Sequence, residues 1–192
     1  MGAAEMLKKS KHPFAILGGG VRYSEAGKAF VRLCEEAHIP FGETQAGKGT
    51  VDRLHPLNMG GVGVTGGKAA NLIARDADLI LAVGTRLTDF TTCSKWLFQQ
   101  DAKVLSLNIC PFDAVKMAGE PILCDAREGL EKLTNALSGW KSAWTEEPAQ
   151  AKAEWEAIVK EHYEADPPQG LSQTRALGEI NRFMGKTDIA VD

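Results

Sequence analysis

Short apolar runs along this chain alternate with stretches in which apolar residues recur every three or four positions. The longest unbroken run, Leu79-Ile80-Leu81-Ala82-Val83, has no polar face. A run of that length closed by Gly84 predicts a central strand of a parallel sheet, covered by helices on both sides. Phe14–Leu17, Ile39–Phe41, Val104–Ile109 and Pro121–Cys124 are the further predicted strands. Pro40 places the second of them at a strand start or a sheet edge. Ala26, Ala29, Phe30, Leu33, Cys34 and Ala37 share one helical face, which predicts a helix from an N-cap at Ser24 to about His38. Residues 3–10 and Lys68–Arg75 are shorter helices, and another is expected to begin at Lys95. Asp125 followed by Glu128 resembles a capping box, and Leu130, Leu133 and Leu137 line the helix it opens. His55–Gly67 reads as a loop. The alternation predicts an α/β fold: a doubly wound, mostly parallel six-stranded sheet with helices on both faces, Rossmann-like, ending near Gly139.

The pattern then changes. Glu146–Glu164 is charged, with Ala and Trp at helical spacing, and predicts a connecting helix on a surface. Asp166-Pro167-Pro168-Gln169-Gly170 is a linker, Ser172–Met184 a helix and Asp188–Asp192 a strand. One helix and one strand cannot form a core alone. The expected division is therefore a domain over 1–140, a connection over 141–170 and the start of another domain over 171–192. An edge strand added to the main sheet is the alternative.

Composition narrows the function. A net charge of −3 gives no basic footprint for nucleic acid. No apolar run approaches the roughly 18 residues that span a bilayer, and the N-terminus lacks a signal-peptide profile. The expectation is a cytoplasmic protein with neither nucleic-acid nor membrane partners. Cys34, Cys93, Cys110 and Cys124 form no CxxC pair and fit reduced thiols. The four histidines are scattered, so no metal site is expected within this chain.

Candidate chemistry gathers at predicted strand ends, where open α/β sheets collect ligands. Gly18, Gly19 and Gly20 either let backbone approach a pyrophosphate or make a turn with positive φ. Gly84, Thr85 and Arg86 place a turn, a hydroxyl and a fixed cation at the rim; Arg86 suits a phosphate or a salt bridge. Asn108 and Asp125 could bond a ribose or adenine, although Asp125 also suits a helix cap. Gly61-Val62-Gly63-Val64-Thr65-Gly66 spells GxGxxG before a helix. With no strand expected ahead of it, tight loop packing is favoured over a dinucleotide site, and an NAD dehydrogenase rests on this motif alone. Glu43, the lone carboxylate of a Gly-rich loop, is expected to be solvated or capping. Nothing assembles a nucleophile, a base and an oxyanion site, and no catalytic residue is assigned.

Several of these segments together resemble the central domain of thiamine-diphosphate enzymes. The resemblance is carried by Pro13–Ser24, by Glu43-Thr44-Gln45-Ala46-Gly47-Lys48-Gly49, by His55–Gly66, and by Gly84-Thr85-Arg86-Leu87-Thr88-Asp89-Phe90-Thr91-Thr92. Glu43–Lys48 and Gly84–Thr92 are most similar to the branch that hydrolyses a carbon–carbon bond of a cyclic 1,2-dione in myo-inositol catabolism. The resemblance implies a parent protein of three α/β domains, a homo-oligomer, with thiamine diphosphate and Mg²⁺ held by the other two domains. The central domain would then be non-catalytic, and this chain inactive alone. In flavin-containing relatives of the acetolactate-synthase type, which are carboligases or decarboxylases, the central domain binds FAD. The matching positions, a candidate FAD or ADP pocket, are Gly18, Gly19, Gly20, Thr44, Gln45, Val64, Thr65, Gly84, Thr85, Arg86, Asn108, Ile109, Asp125 and Ala126. Those relatives carry an Asp-Asp-Arg-like run after the Gly-x-Arg, where this chain has Leu87-Thr88-Asp89-Phe90.

Overall fold

The computed structural model describes residues 2–166, 168–185 and 188. In chain order the elements are α1 (Ala3–Lys9), β1 (Pro13–Leu17), α2 (Gly19–Tyr23), α3 (Gly27–Ala37), β2 (Phe41–Glu43), β3 (Asn58–Gly61), α4 (Lys68–Asp76), β4 (Leu79–Val83) and α5 (Asp89–Thr92). They continue with β5 (Lys103–Asn108), α6 (Pro111–Ala114), β6 (Glu120–Leu123), α7 (Ala126–Ala136), α8 (Glu147–Glu164) and α9 (Gln173–Phe183). The six strands form one parallel sheet in the order β3-β2-β1-β4-β5-β6. The chain winds outward from β1 to β3, returns to β4 beside β1, and winds outward the other way. That is the doubly wound α/β fold.

Burial on both faces explains the unbroken apolar runs. Leu79, Leu81 and Val83 of β4, with Ala15 and Leu17 of β1, belong to one core, closed by Phe30 and Leu33 of α3 and Leu130 and Leu133 of α7. Ile80 and Ala82, with Phe14 and Ile16, belong to a second core on the opposite face, with Ala70, Ile73 and Ala74 of α4 and with Leu97, Phe98 and Trp144. The Trp144 indole N–H donates to the Pro13 carbonyl at 2.8 Å, which ties the segment after α7 to the start of β1.

Several expectations are corrected. Ser24 does not cap α3: Ala26 holds the N-cap position, and the Ser24 hydroxyl donates to Asp125 Oδ2 at 2.7 Å. Gly18–Gly20 is not a bare turn, because Gly18 is the N-cap of the short α2. Part of the predicted 55–67 loop is β3, since Asn58 and Met59 are buried beside β2. β2 accordingly lies inside the sheet and not at an edge. Pro40 precedes it, so the missing N–H removes no ladder bond. No helix begins at Lys95; α5 ends at Thr92, and a turn of the opposite hand follows. β5 ends at Asn108, leaving Ile109 outside the strand and 76% exposed.

The chain divides into two compact units, 1–152 and 153–192. In the second, the Ser172 hydroxyl caps α9 by accepting the Arg175 amide N–H at 3.1 Å, and the Arg175 guanidinium donates to the Tyr163 carbonyl at 2.9 Å. Of the predicted strand over 188–192 only Asp188 is described. Among the described residues no helix is long and apolar enough to cross a membrane.

Candidate functional site

In an open α/β sheet the crevice forms where the winding reverses, outside the carboxyl ends of the two strands that flank the reversal. Here those strands are β1 and β4, and both end in glycine. Gly18 N–H donates to the Val83 carbonyl at 2.9 Å, and Gly20 N–H donates to the Gly84 carbonyl at 3.0 Å. The contact leaves no room for side chains. A β-carbon on Gly18 would lie 2.3 Å from the Gly84 carbonyl oxygen, and one on Gly20 would lie 2.7 Å from the Gly84 Cα. Gly84 itself has φ +59, the left-handed region that favours glycine.

Above these glycines opens a cleft of about 800 Å³. Gly19, Gly20, Gly84, Thr85 and Arg86 line it from the centre, and Thr44, Gln45 and Ala46 from the β2 side. Val62 and Thr65 follow from the β3–α4 loop, and Tyr23, Thr88, Phe90 and Thr91 complete the lining. The β2 side is stiff. Thr44 N–H donates to the Leu17 carbonyl at 2.9 Å, and Gly47 N–H donates to Thr44 Oγ1 at 3.2 Å. A β-carbon on Gly47 would lie 2.2 Å from the Leu17 carbonyl oxygen, so this loop also needs its glycine.

Of the fourteen positions singled out by sequence as pocket-forming, the structure brings eight into this lining: Gly19, Gly20, Thr44, Gln45, Thr65, Gly84, Thr85 and Arg86; Val64, Ile109 and Ala126 are not among its walls. Gly18 sits beneath them as backbone packing. Asn108 is buried and otherwise engaged. Its Nδ2 donates to the Thr85 carbonyl at 3.0 Å, and its Oδ1 accepts the Cys110 N–H at 3.0 Å, so it props the Thr85 turn from below. Asp125 accepts the Arg127 amide at 2.8 Å and the Ser24 hydroxyl, acting as the cap of α7. Those donors, the Ser24 hydroxyl first, hold its carboxyl below the usual range. Sequence reasoning missed Tyr23, Ala46, Val62, Thr88, Phe90 and Thr91 as walls. The available signal was position: Tyr23 follows Gly18–Gly20 and Phe90 follows Gly84–Arg86, each an aromatic close to a glycine-bearing strand end.

The GxGxxG segment is a structural device. Asn71 of α4 accepts the Gly63 N–H and donates to the Gly63 carbonyl, both at 2.9 Å, so its amide closes on the loop like a second backbone strand. Val64 N–H donates to the Phe90 carbonyl at 2.8 Å. The Gly63 N–H is thereby unavailable to a phosphate, and packing explains the glycines.

Glu43 corrects another expectation: it is buried, 5% exposed, and not solvated. Asn58 Nδ2 donates to its Oε1 at 2.9 Å. Burial raises its pKa above the usual carboxylate value, against the opposing pull of Asn58, Lys48 and the Gly49 backbone.

The wall between Leu87 and Phe98 is strained. Leu87, Cys93, Ser94 and Lys95 have φ of 46, 49, 54 and 71, all left-handed and none glycine. Such backbone costs roughly 1–2 kcal/mol per residue. Leu97 and Phe98, each 8% exposed in the second core, anchor the far end. Burying an apolar side chain of that size contributes about 1.5–3 kcal/mol, which is of the same order.

A second hollow, of about 460 Å³, opens at the amino ends of β4 and β5 beside Ser10, Asp78, Lys103 and Glu120. The Asp78 carboxylate there is fully engaged. It accepts the Ser10 hydroxyl and the amides of Lys11 and His12, the latter two at 2.7 and 3.0 Å. Burial pushes its pKa up, and these donors outweigh that and hold it low. Among the described residues no three His, Cys, Asp or Glu side chains gather where a metal ion could be held.

A reversal-point cleft floored by glycine on a parallel sheet defines the class as a doubly wound α/β domain, and the family within that class is settled by comparison. Residues 2–133 match the family described as thiamine pyrophosphate enzyme, central domain, and the chain belongs to that family. It is similar to the 3D-(3,5/4)-trihydroxycyclohexane-1,2-dione hydrolase of Clostridium tetani, 42% identical over 217 aligned positions that cover 98% of this chain and 34% of the relative. The protein of the same name from Geobacillus thermodenitrificans is 52% identical over 153 positions, covering 80% of this chain and 24% of the relative. The chain thus spans about a third or less of the curated relatives it matches. A Mycobacterium smegmatis protein described as a thiamin diphosphate-dependent enzyme superposes with a TM-score of 0.59 at 23% identity, over 69% of this chain and 26% of that one; this likeness concerns the fold.

Proposed function

We propose that this chain serves as the non-catalytic central domain of a thiamine-diphosphate- and Mg²⁺-dependent hydrolase that cleaves a carbon–carbon bond of a cyclic 1,2-dione. The reading rests on one observation: 42% identity carried across 98% of this chain to a trihydroxycyclohexane-1,2-dione hydrolase about three times as long. In this reading the coenzyme and metal lie on flanking domains, and this chain contributes a rigid sheet and subunit contacts. Among the described residues, the side chains around the reversal-point cleft offer hydroxyls, an amide and one guanidinium, but no carboxylate or imidazole placed to move a proton there.

A graft tests the reading. The matching segment of the Clostridium tetani hydrolase is exchanged for this chain, and the chimera is assayed on the dione. Retained hydrolysis is the expected result. A folded chimera without activity, or hydrolysis by this chain alone with thiamine diphosphate and Mg²⁺, overturns it.

A second reading is favoured by the cleft itself: it holds an adenine nucleotide, FAD or ADP, as in acetolactate-synthase-like relatives. Glycine backbone lies where a pyrophosphate would approach, and Arg86 is exposed with no ion pair among the described residues. Tyr23 and Phe90 present aromatic rings at the rim. Titration calorimetry with FAD, ADP and coenzyme A decides it; heat from none of the three removes this reading.

A further inference from the structure

Between Thr88 and Phe98 the chain carries the signals that start a helix and no glycine or proline to stop one, yet it forms a single turn. Thr88 caps α5, its hydroxyl accepting the Thr91 amide N–H, and Asp89 supplies a negative charge to the first turn. From Cys93 to Gln100 there is neither Gly nor Pro to end a helix. Yet α5 stops at Thr92, and Cys93, Ser94 and Lys95 run left-handed in succession. Helices commonly close with a single left-handed residue, usually glycine. Here three residues with side chains do so.

We propose that this segment is a two-state wall of the cleft. The arrangement described, short α5 followed by a left-handed turn, exchanges with one in which a single right-handed helix runs from Asp89 to Phe98.

Both ends of the turn explain why the strained form persists. On one side Thr92 is wholly buried, its hydroxyl donating to the Thr88 carbonyl at 3.0 Å and accepting the Lys95 N–H at 3.1 Å. On the other, Leu97 and Phe98 sit in the second core, and Leu97 N–H donates to the Thr92 carbonyl at 3.1 Å. The stretch between them must change direction within three residues, and the left-handed turn does that. Continuing the helix relieves the strain at Cys93, Ser94 and Lys95 and withdraws Leu97 and Phe98 from their places. Opposed terms of similar size make an element bistable. Trp96 lies at the centre of the change, 85% exposed.

The exchange reaches the cleft because Thr88, Phe90 and Thr91 line it and belong to the same segment. In the longer helix the Ser94 N–H, which now donates to the Asp89 carbonyl, turns to the Phe90 carbonyl and competes there with the Val64 N–H, which couples the exchange to the β3–α4 loop. A ligand that prefers one shape of this wall shifts the population toward it. The inference does not depend on what the cleft holds or on the domain reading above.

The test uses the full chain labelled with 5-fluorotryptophan, which reports on its four tryptophans; the Trp96 signal is assigned with Trp96→Phe. In the wild type the Trp96 fluorine signal is expected to be doubled or broadened by exchange. Ser94→Gly with Lys95→Gly, which suits the left-handed turn, collapses it to one line and raises Tm by about 2–4 °C. Ser94→Ala with Lys95→Ala, which suits the helix, enlarges the second signal. A single sharp Trp96 line in the wild type and the alanine variant overturns the proposal. So does a doubled line that the glycine variant leaves unchanged, or a glycine variant that melts no higher than wild type.

Discussion

Gly20 donates its amide N–H to the Gly84 carbonyl at 3.0 Å, bringing the backbones that follow β1 and β4 into direct contact at the sheet's reversal point. This contact makes the crevice floor. It requires glycine on both sides, because side chains would have to occupy the same space.

Gly20→Ala is accordingly expected to destabilise the chain by roughly 1–3 kcal/mol, the usual cost of overpacking. Gly61→Ala is the control, since an added β-carbon there meets only the Gly66 Cα, at 3.6 Å. Thermal unfolding of the two variants checks this, with Tm lowered for Gly20→Ala and nearly unchanged for Gly61→Ala.

Glu43 supplies a pH-dependent term. Its folded pKa is raised, chiefly by burial, so the folded state binds the proton more tightly than the unfolded chain does. The contribution to stability is complete below the ordinary carboxylate pKa and is lost as pH rises through the folded value. Glu43→Gln keeps an oxygen for Asn58 Nδ2 and removes the charge. The variant is expected to melt higher than wild type at pH 7, with the gap closing toward pH 4.

Asp78 has the opposite sign. Although burial pushes its pKa up, Ser10, Lys11 and His12 donate to the carboxylate and hold it low. Its stabilising contribution is present above the unfolded pKa and is lost as pH falls through the folded value. Asp78→Asn is expected to lower Tm at neutral pH, and the difference should shrink in acid. A pH series of melting curves, compared with that of Glu43→Gln, separates the two.

Arg86 lines the cleft and is exposed, so Arg86→Ala should leave Tm nearly unchanged. If the nucleotide reading holds, the same substitution weakens ADP binding about tenfold or more, as loss of a charge-assisted phosphate contact would. Calorimetry on wild type and variant measures both quantities.

The periodicity of Leu79–Val83 and of the helix through Phe30 and Leu33 was sufficient for the fold class, because burial on two faces leaves no choice but an unbroken apolar run. Glycine at strand ends likewise located the cleft, since only backbone without a β-carbon can close up there. The capping box also placed Asp125 at the N-cap of α7. Residue chemistry by itself assigned Ser24 to capping α3, Asn108 to the pocket, and Glu43 to solvent or a cap. Each acts elsewhere for a reason that depends on distant partners: Ser24 meets Asp125 101 residues away, Asn108 meets the Thr85 carbonyl, and Glu43 meets Asn58 on a strand too short and glycine-rich to be legible. The left-handed turn after Thr92 is the clearest instance. A helix was expected to begin at Lys95, and a left-handed turn stands there instead, with Leu97 and Phe98 held in the second core. Patterning that follows from local geometry and burial was therefore written in the sequence. The partners of individual polar groups, and the hand of a strained turn, were decided only when remote segments packed together, because those energies exist between residues that the linear order keeps apart.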